Sequence, residues 1–405
     1  MTLRNTIEGG PEMERVSTLV EFFSDNTIEN VLGAFAFLPE QVIFLIDSGN
    51  HEPTIQDTLR ALERRLPQVK TGFYQTKDSQ LESIRLALEE LYRDHPDCVF
   101  DFTGGAEPML LAAYSFAFRN DAPMLHIHMQ SRALINIHRC GQLARDFVFP
   151  QLALEDLLNM HGAFLSGYGY PVPEESWNDT IRRFCTLVME DQHKWKEQCL
   201  FLQMAAARAG ELRVRTPIEL RTADGVPVRG DPDYLHRLAE TGMLAEVGQA
   251  EGLLHFRFPT PELKHCLCDS GVWLELYTYL LLKESGRFSD VRLSVRIGWG
   301  ESSRQASGTA YNEIDIIACT GITPLFISCK SGLPNPNNMN EILVYARKFG
   351  GQRARAAMVT SAEISTGFVG LRKRAEDLGM VIVDESDLRD GLAQGMLLFL
   401  LDSGL

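Results

Sequence analysis

The chain has 405 residues, 45% of them apolar, and a formal net charge of −15. That length exceeds one ordinary core and calls for two or three domains, and the composition excludes a fibrous or disordered chain. The acidic balance argues against a constitutive nucleic-acid binder and leaves room for contact that is local, metal-dependent or gated.

No apolar run is long enough to span a bilayer. The N-terminus lacks the basic segment and apolar core of a secretory signal. The eight cysteines, at 98, 140, 185, 199, 266, 268, 319 and 329, form no Cys-x-x-Cys pair. Neither a structural zinc site nor a disulfide framework is therefore expected. His265-Cys266-Leu267-Cys268 is the single cluster and reads as structural. A cytoplasmic protein with reduced thiols fits this usage.

Ser17 to Phe23 reads as a buried strand. Ser24-Asp25-Asn26-Thr27 follow, then a helical pattern through Ile28, Val31, Leu32 and Phe35. These four polar residues suit a helix cap. At a strand-to-helix turn they equally suit a phosphate or sugar, because the helix start offers free N–H groups. Val42 to Ile46 is a strand without a polar break, as in a sheet covered on both faces. One helix carries Ile55, Leu59, Leu62 and Leu66. Another starts at Ser79, with Glu82 at capping-box spacing, and carries Leu81, Ile84, Leu88 and Leu91. Cys98 to Phe102 is the next strand, running into Thr103-Gly104-Gly105-Ala106-Glu107-Pro108 and a helix from Met109 to Phe118. Pro123 to Met129 is a further strand. This alternation predicts a doubly wound α/β domain, with ligands beyond the carboxyl ends of its strands. Both polar turns lie at those ends. The paired glycines let backbone amides approach an anion, or form only a tight turn. Their spacing fits neither a dinucleotide fingerprint nor a Walker loop.

Residues 151–205 read as mainly helical. Residues 206–262 hold short segments and glycines, a small helix at Tyr234, Leu235 and Leu238, and a strand from Leu253 to Phe258, as in a winged helix. Few basic residues cluster there, which favours a structural connector over a DNA-binding module. From Pro261 a helix carries Val272, Trp273, Glu275, Leu276 and Leu280. A strand from Val291 to Ile297 comes next, then a hairpin over 311–332. A helix from Asn340 to Phe349, the strand Ala356 to Thr360, another helix and the strand Met380 to Asp384 complete the pattern.

The hairpin carries the chemistry. Side chains alternate along a strand, so Glu313 and Asp315 share one face, and Ser328 and Lys330 share another. Pairing can bring Asp315 and Lys330 together. An acid and a lysine so placed suit metal-assisted phosphodiester cleavage: the carboxylate holds Mg²⁺ or Mn²⁺ and the ammonium offsets charge on the phosphate. They also suit an amphipathic hairpin with a surface ion pair. Glu275 could complete the metal site from its helix.

Together these pieces resemble a known arrangement. Ser24-Asp25-Asn26-Thr27 and Asp101-Phe102-Thr103-Gly104-Gly105 resemble the ligand loops of CARF domains. Trp273-Leu274-Glu275, Asn312-Glu313-Ile314-Asp315 and Cys329-Lys330 resemble the PD-(D/E)xK nuclease of single-CARF effectors in type III CRISPR defence. The resemblance covers nearly the whole chain. It implies an α/β protein with a Rossmann-like CARF domain over 1–150, a helical and winged-helix-like connector over 151–262, and a restriction-endonuclease-like domain over 263–405. It further implies a homodimer activated by a cyclic oligoadenylate, most often the tetra-adenylate, cleaving DNA, RNA or both with Mn²⁺ or Mg²⁺. Carried across, Ser24, Asp25, Asn26, Thr27, Thr103, Gly104, Gly105 and Glu107 would bind the activator. Glu275, Asp315 and the carbonyl of Cys329 would hold the metal, and Lys330 would position water.

Two positions depart from the pattern. Ser328 stands where the motif has an acid two residues before the lysine, and Glu313 or Glu341 could supply the missing charge. Glu107 stands where the CARF loop commonly has Lys or Arg, after Thr-Gly-Gly-x. The first departure keeps open a sensor with a degenerate nuclease fold that binds nucleic acid or a partner. The α/β domain alone also allows an unrelated nucleotide-binding enzyme.

Overall fold

The computed structural model describes residues 16–49, 51–130, 133–137, 142–144, 149–209, 211–299, 311–364 and 369–402. Cys140 of the sequence analysis lies outside them. The chain forms two compact units, Met1–Ala163 and Phe164–Leu405.

Unit one alternates β1 (Thr18–Phe22), α1 (Thr27–Phe37), β2 (Gln41–Ile46), α2 (Glu52–Arg65), β3 (Lys70–Gln75), α3 (Leu81–Asp94), β4 (Val99–Asp101), α4 (Glu107–Arg119) and β5 (Met124–His128). Strands β6 (Ala133–Asn136) and β7 (Gln142–Ala144) and helix α5 (Leu154–Met160) follow. The sheet order is β3-β2-β1-β4-β5-β6-β7. The first five strands run parallel, and β6 and β7 return antiparallel. This is a doubly wound sheet whose topological switch lies between β1 and β4. A ligand crevice belongs at that switch. Val20, Phe22, Ile43, Phe100 and Phe102 bury one face against α3 and α4.

Several local expectations fail for identifiable reasons. Strand β3 gives almost no sequence signal because it is a sheet edge, and its side chains are half-buried at most. The Ser79–Glu82 capping box does not form. Helix α3 starts at Leu81 with Gln80 as its N-cap, and Glu82 pairs with Arg85 instead.

Unit two takes in β8 (Ala163–Tyr168), whose first residue closes unit one, then α6 (Asn178–Glu190) and α7 (Gln192–Ala209). Then come β9 (Arg213–Pro217), β10 (Glu219–Arg221), β11 (Pro227–Arg229), α8 (Pro232–Thr241), β12 (Ala245–Ala250) and β13 (Leu253–Arg257). The antiparallel sheet β12-β13-β9 with α7 and α8 has winged-helix-like order. Residues 151–205 are mainly helical, as expected, and also hold strand β8, which the sequence reading did not place.

The last stretch comprises α9 (Pro261–Cys268), α10 (Val272–Glu284), β14 (Asp290–Trp299), β15 (Asn312–Thr320), β16 (Thr323–Lys330), α11 (Pro336–Gly350), β17 (Arg355–Thr360), α12 (Val369–Asp377), β18 (Val381–Val383), α13 (Glu385–Arg389) and α14 (Ala393–Asp402). The single helix expected from Pro261 is therefore two. Gly271 N–H donates to Asp269 Oδ1 at 2.9 Å, an Asx turn that breaks the ladder between them. The sheet order β18-β17-β16-β15-β14-β8 joins an antiparallel meander to a parallel pair. Helix α10 is apolar nearly all round, as a buried helix must be, and it packs on this sheet. One continuous core joins the winged-helix-like elements to this sheet. Among the described residues no helix is long and apolar enough to cross a membrane.

Candidate functional sites: a carboxylate–lysine cleft and a paired-loop crevice

The antiparallel ladder between β15 and β16 has its last rung at Ile316–Ile327. Beyond it β16 continues with β17, through Lys330 opposite Thr360. The Asp315 carboxylate fills the place where the two strands part. Its Oδ2 accepts the Cys329 N–H at 2.6 Å and the Ser328 hydroxyl at 3.2 Å, and lies 3.7 Å from Lys330 Nζ. The expected meeting of Asp315 and Lys330 thus occurs. Burial lifts the Asp315 carboxyl, and Lys330, the Cys329 amide and Ser328 pull against that lift.

Glu275 reaches the same place from the first turn of α10. Burial and then the Asp315 charge push it up to about 8. Two half-buried carboxylates, one of them raised by the charge of the other, are a donor set for a hard divalent cation. The residues therefore fit Mg²⁺ or Mn²⁺, although no group of three or more His, Cys, Asp or Glu is placed for a metal among the described residues. Cys329 can add only its carbonyl. Its thiol turns to Thr278 Oγ1 of α10 at 3.9 Å, and burial holds it protonated. Glu313 shares a face with Asp315, but it accepts Ser294 Oγ at 2.8 Å and Arg296 Nε at 3.3 Å. Glu341 is exposed on α11 and accepts the Tyr345 hydroxyl.

Two supporting residues escaped the sequence reading. Tyr170 is buried, donates its hydroxyl to Glu275 Oε2 at 2.8 Å, and stacks on His265 with ring centres 4.6 Å apart. That gives His265 of the His-Cys-Leu-Cys cluster a packing role, while Cys266 is buried. Ser294 stands on β14 between the rungs Leu293–Ile316 and Val295–Ile314, and its hydroxyl donates to Glu313, the acid on the same face as Asp315. Its φ is +51°, a left-handed conformation that non-glycine residues seldom hold. Neither residue sits in a motif, and only the fold brings them close.

In unit one the turns after β1 and β4 meet at the switch point. A Cβ on Gly104 would lie 3.3 Å from Ser24 Cβ and 2.9 Å from Glu29 Cβ. Gly105 has φ +110°, and a Cβ there would come 2.5 Å from Phe22 Cβ, so glycine is required. Asn26 is the N-cap of α1 yet gives it no side-chain cap. Instead Ser24 Oγ and Asn26 Nδ2 donate to Glu29 at 2.7 and 3.0 Å, which leaves the helix start uncapped by that side chain. Capping does not account for the polar tetrad. Asn30 locks Ser24 through both its N–H and C=O. Thr27 is buried, while Asp25 is exposed. His51 Nδ1 lies 2.8 Å from Asp25 Oδ1 and its Nε2 2.6 Å from Asp47 Oδ1. Burial alone would lower this imidazole, but the two carboxylates outweigh it and raise its pKa. Glu107 is exposed at the start of α4, where the helix dipole favours a carboxylate. Thr103 donates from both N–H and hydroxyl to Asp101 Oδ1. Glu29, Asn30 and His51 carried no motif signal.

The chain is thus an α/β protein whose C-terminal mixed sheet groups Asp315 and Lys330 with Glu275 of α10. Residues 265–395 match the family described as "Card1-like, endonuclease domain", so unit two carries a Card1-like endonuclease domain. No curated protein matches the chain by sequence. Among solved structures the chain is similar to protein VC1899 from Vibrio cholerae, with TM-score 0.75 and 17% identity over 96% of this chain and 100% of that one. It is also similar to Can2 from Sulfobacillus thermosulfidooxidans in complex with cyclic tetra-adenylate, with TM-score 0.67 and 19% identity over 96% and 100%. At such identities the likeness speaks to the fold, and it runs over almost the whole of each chain.

Proposed function

We propose that the chain is a metal-dependent nuclease of type III CRISPR defence, activated by a cyclic oligoadenylate and cleaving DNA, RNA or both. The observation that carries this reading is the Asp315–Lys330 pair beside Glu275 within a Card1-like endonuclease domain. Glu275, Asp315 and the Cys329 carbonyl would hold Mn²⁺ or Mg²⁺. When bound, such a cation polarises a phosphate and lowers the pKa of water. Lys330, half-exposed beside Asp315, offsets the charge that builds on the phosphate and orients the attacking water. Asp315 is fixed for this work by the Cys329 N–H and the Ser328 hydroxyl, and Glu275 by the Tyr170 hydroxyl.

The activator would sit on the paired turns at the β1–β4 switch point. A similar fold carries cyclic tetra-adenylate in Can2. A ring with two-fold symmetry suits a homodimer in which each protomer offers the same turns. Leu111, Tyr114 and Phe118 form an exposed apolar stripe on α4, the helix that starts at the second turn. That stripe suits the two-fold contact. Binding would bias the dimer toward its cleaving state.

Ser328 favours a second reading, a sensor whose nuclease is impaired. A neutral hydroxyl is a weaker Mg²⁺ ligand than the carboxylate the motif expects. Plasmid and single-strand cleavage with Mn²⁺, with and without cyclic tetra-adenylate, separates the two. The nuclease reading predicts cleavage that needs both. The sensor reading predicts none until Ser328→Glu restores the acid.

A further inference from the structure

Glu21 of β1 and Asp101 of β4 stand opposite each other in register, and both side chains are wholly buried. Gly33 of α1 passes directly over them. A Cβ there would overlap Asp101 Oδ2 and lie 2.7 Å from Glu21 Oε1, so the helix leaves room for these two carboxyls and for no side chain of its own. Among the described residues, both Glu21 oxygens and Asp101 Oδ2 lack any hydrogen-bond partner. Only Asp101 Oδ1 is used. It takes the Thr103 N–H at 2.8 Å and the Thr103 hydroxyl, whose oxygen in turn accepts the Ile127 N–H at 2.9 Å. A chain of hydrogen bonds thus runs from the buried pair, through Thr103, to β5.

The surroundings of the pair are apolar. In register, β2 places Phe44 beside Glu21 and β5 places Leu125 beside Asp101. Leu19 of β1 also reaches the space that Gly33 leaves. Glu29, one turn before Gly33 on α1, is directed to Ser24 and Asn26. No described cation faces the pair. Two anions side by side here would be prohibitively costly, because each would lose its hydration with nothing to replace it. One anion is supported, since Thr103 gives Asp101 two donors, and hydrogen bonds to a charged acceptor are the stronger kind.

We propose that Glu21 and Asp101 are positioning residues for the activator loop: Glu21 stays a neutral acid, so that Asp101 alone carries the charge that holds Thr103. The relevance to the activator rests on the function proposed above, whereas the anchoring of Thr103 does not. Burial, with the neighbouring Asp101 charge added, raises Glu21 far above the carboxylate range, and burial raises Asp101 to about 7 despite Thr103. Asp101 therefore gains its charge as the pH climbs through neutrality, and its grip on Thr103 strengthens in that direction.

The test compares Glu21→Gln, which is permanently neutral and of the same shape, with Asp101→Asn, which removes the charge that holds the loop. Thr103→Val, which deletes only the hydroxyl, is a third variant in case Asp101→Asn fails to fold. In the ligand-free protein, hydrogen exchange at the Thr103 and Ile127 amides should speed up about tenfold or more in Asp101→Asn. Thr103→Val should do the same at Ile127, and Glu21→Gln should stay near wild type. With cyclic tetra-adenylate, Asp101→Asn should raise the half-activating concentration about tenfold with a lesser effect on the activator-saturated rate. The wild type should gain affinity as pH rises through about 7, and Asp101→Asn should lose that gain. Equal exchange in Asp101→Asn and wild type would overturn the proposal. So would Glu21→Gln behaving like Asp101→Asn, since Glu21 would then act through its charge. If the wild type does not bind this ring at all, the function proposed above fails, while the exchange measurement still decides the anchoring.

Discussion

Asp315 accepts a backbone N–H, a hydroxyl and the field of an ammonium on one oxygen, and it does so where two strands part. The two hydrogen bonds fix the carboxylate in place, and the ammonium stands just beyond hydrogen-bond distance. Glu275 is steadied in the same way by Tyr170, whose hydroxyl takes Oε2. Such outer contacts set the direction of a metal-binding carboxylate, and their loss typically costs 10- to 100-fold in metal affinity. Tyr170→Phe should therefore raise the Mn²⁺ concentration for half-maximal cleavage by about tenfold, with a smaller effect at saturating metal. A metal titration of the cleavage rate checks this, and an unchanged half-saturation point would assign Tyr170 to packing alone. The Asp315–Lys330 meeting was legible from strand alternation, because period-two geometry fixes which side chains share a face. Tyr170, His51 and Glu29 were not. Tyr170 lies 105 positions from Glu275 and His51 lies 26 from Asp25, so only the fold brings those pairs together, while Glu29 meets Ser24 and Asn26 locally but through no recognised capping pattern.

Elements were legible where their burial was one-sided or complete. Strands β1 and β2 are buried along nearly their whole length, and their apolar runs announce them. Strand β3 is an edge with exposed positions, so its sequence looks like a loop. The α9–α10 break hid because Asp269 and Gly271 end one helix only through a local side-chain turn. At the far edge of the second sheet Asp384 caps α13, with its carboxylate accepting the Ser386 and Asp387 amides. It also pairs with Arg372 at 2.6 Å. Burial alone would raise this acid. The Ser386 hydroxyl, the Ile364 and Asp387 amides and Arg372 outweigh burial and hold it at about 2. Because the folded value is depressed, its stabilisation is present above the unfolded value of about 4 and is lost as pH falls toward 2. Asp384→Ala should cost about 2 kcal/mol at neutral pH, with the difference from wild type shrinking as the medium is acidified through that window. Urea unfolding at pH 7 and pH 3 measures both, and a cost independent of pH would remove the charge from the explanation.

On the scale of the whole molecule, a net charge of −15 repels nucleic acid at long range, so a nuclease of this composition needs local attraction and a gate. In the proposed function a two-fold dimer around a cyclic activator would supply such a gate. The exposed stripe of Leu111, Tyr114 and Phe118 on α4 is the contact this account assigns to it. Phe118→Asp should shift the protein toward monomer in light scattering and lose activation by cyclic tetra-adenylate, while its melting point stays near that of the wild type. A dimer that survives this change would place the contact elsewhere. The doubly wound order and the position of both ligand turns at strand ends were legible from alternation of strand and helix. The crossing of those turns at the β1–β4 switch was not, because strand order is set by pairing and the linear sequence does not print it.

The most direct test is binding of Mn²⁺, followed by electron paramagnetic resonance in wild type and Asp315→Ala with cyclic tetra-adenylate present. The wild type should take up Mn²⁺ and cleave, and Asp315→Ala should lose about tenfold or more in Mn²⁺ affinity together with its cleavage. An Asp315→Ala protein that binds Mn²⁺ as tightly as the wild type and cuts as fast would contradict it.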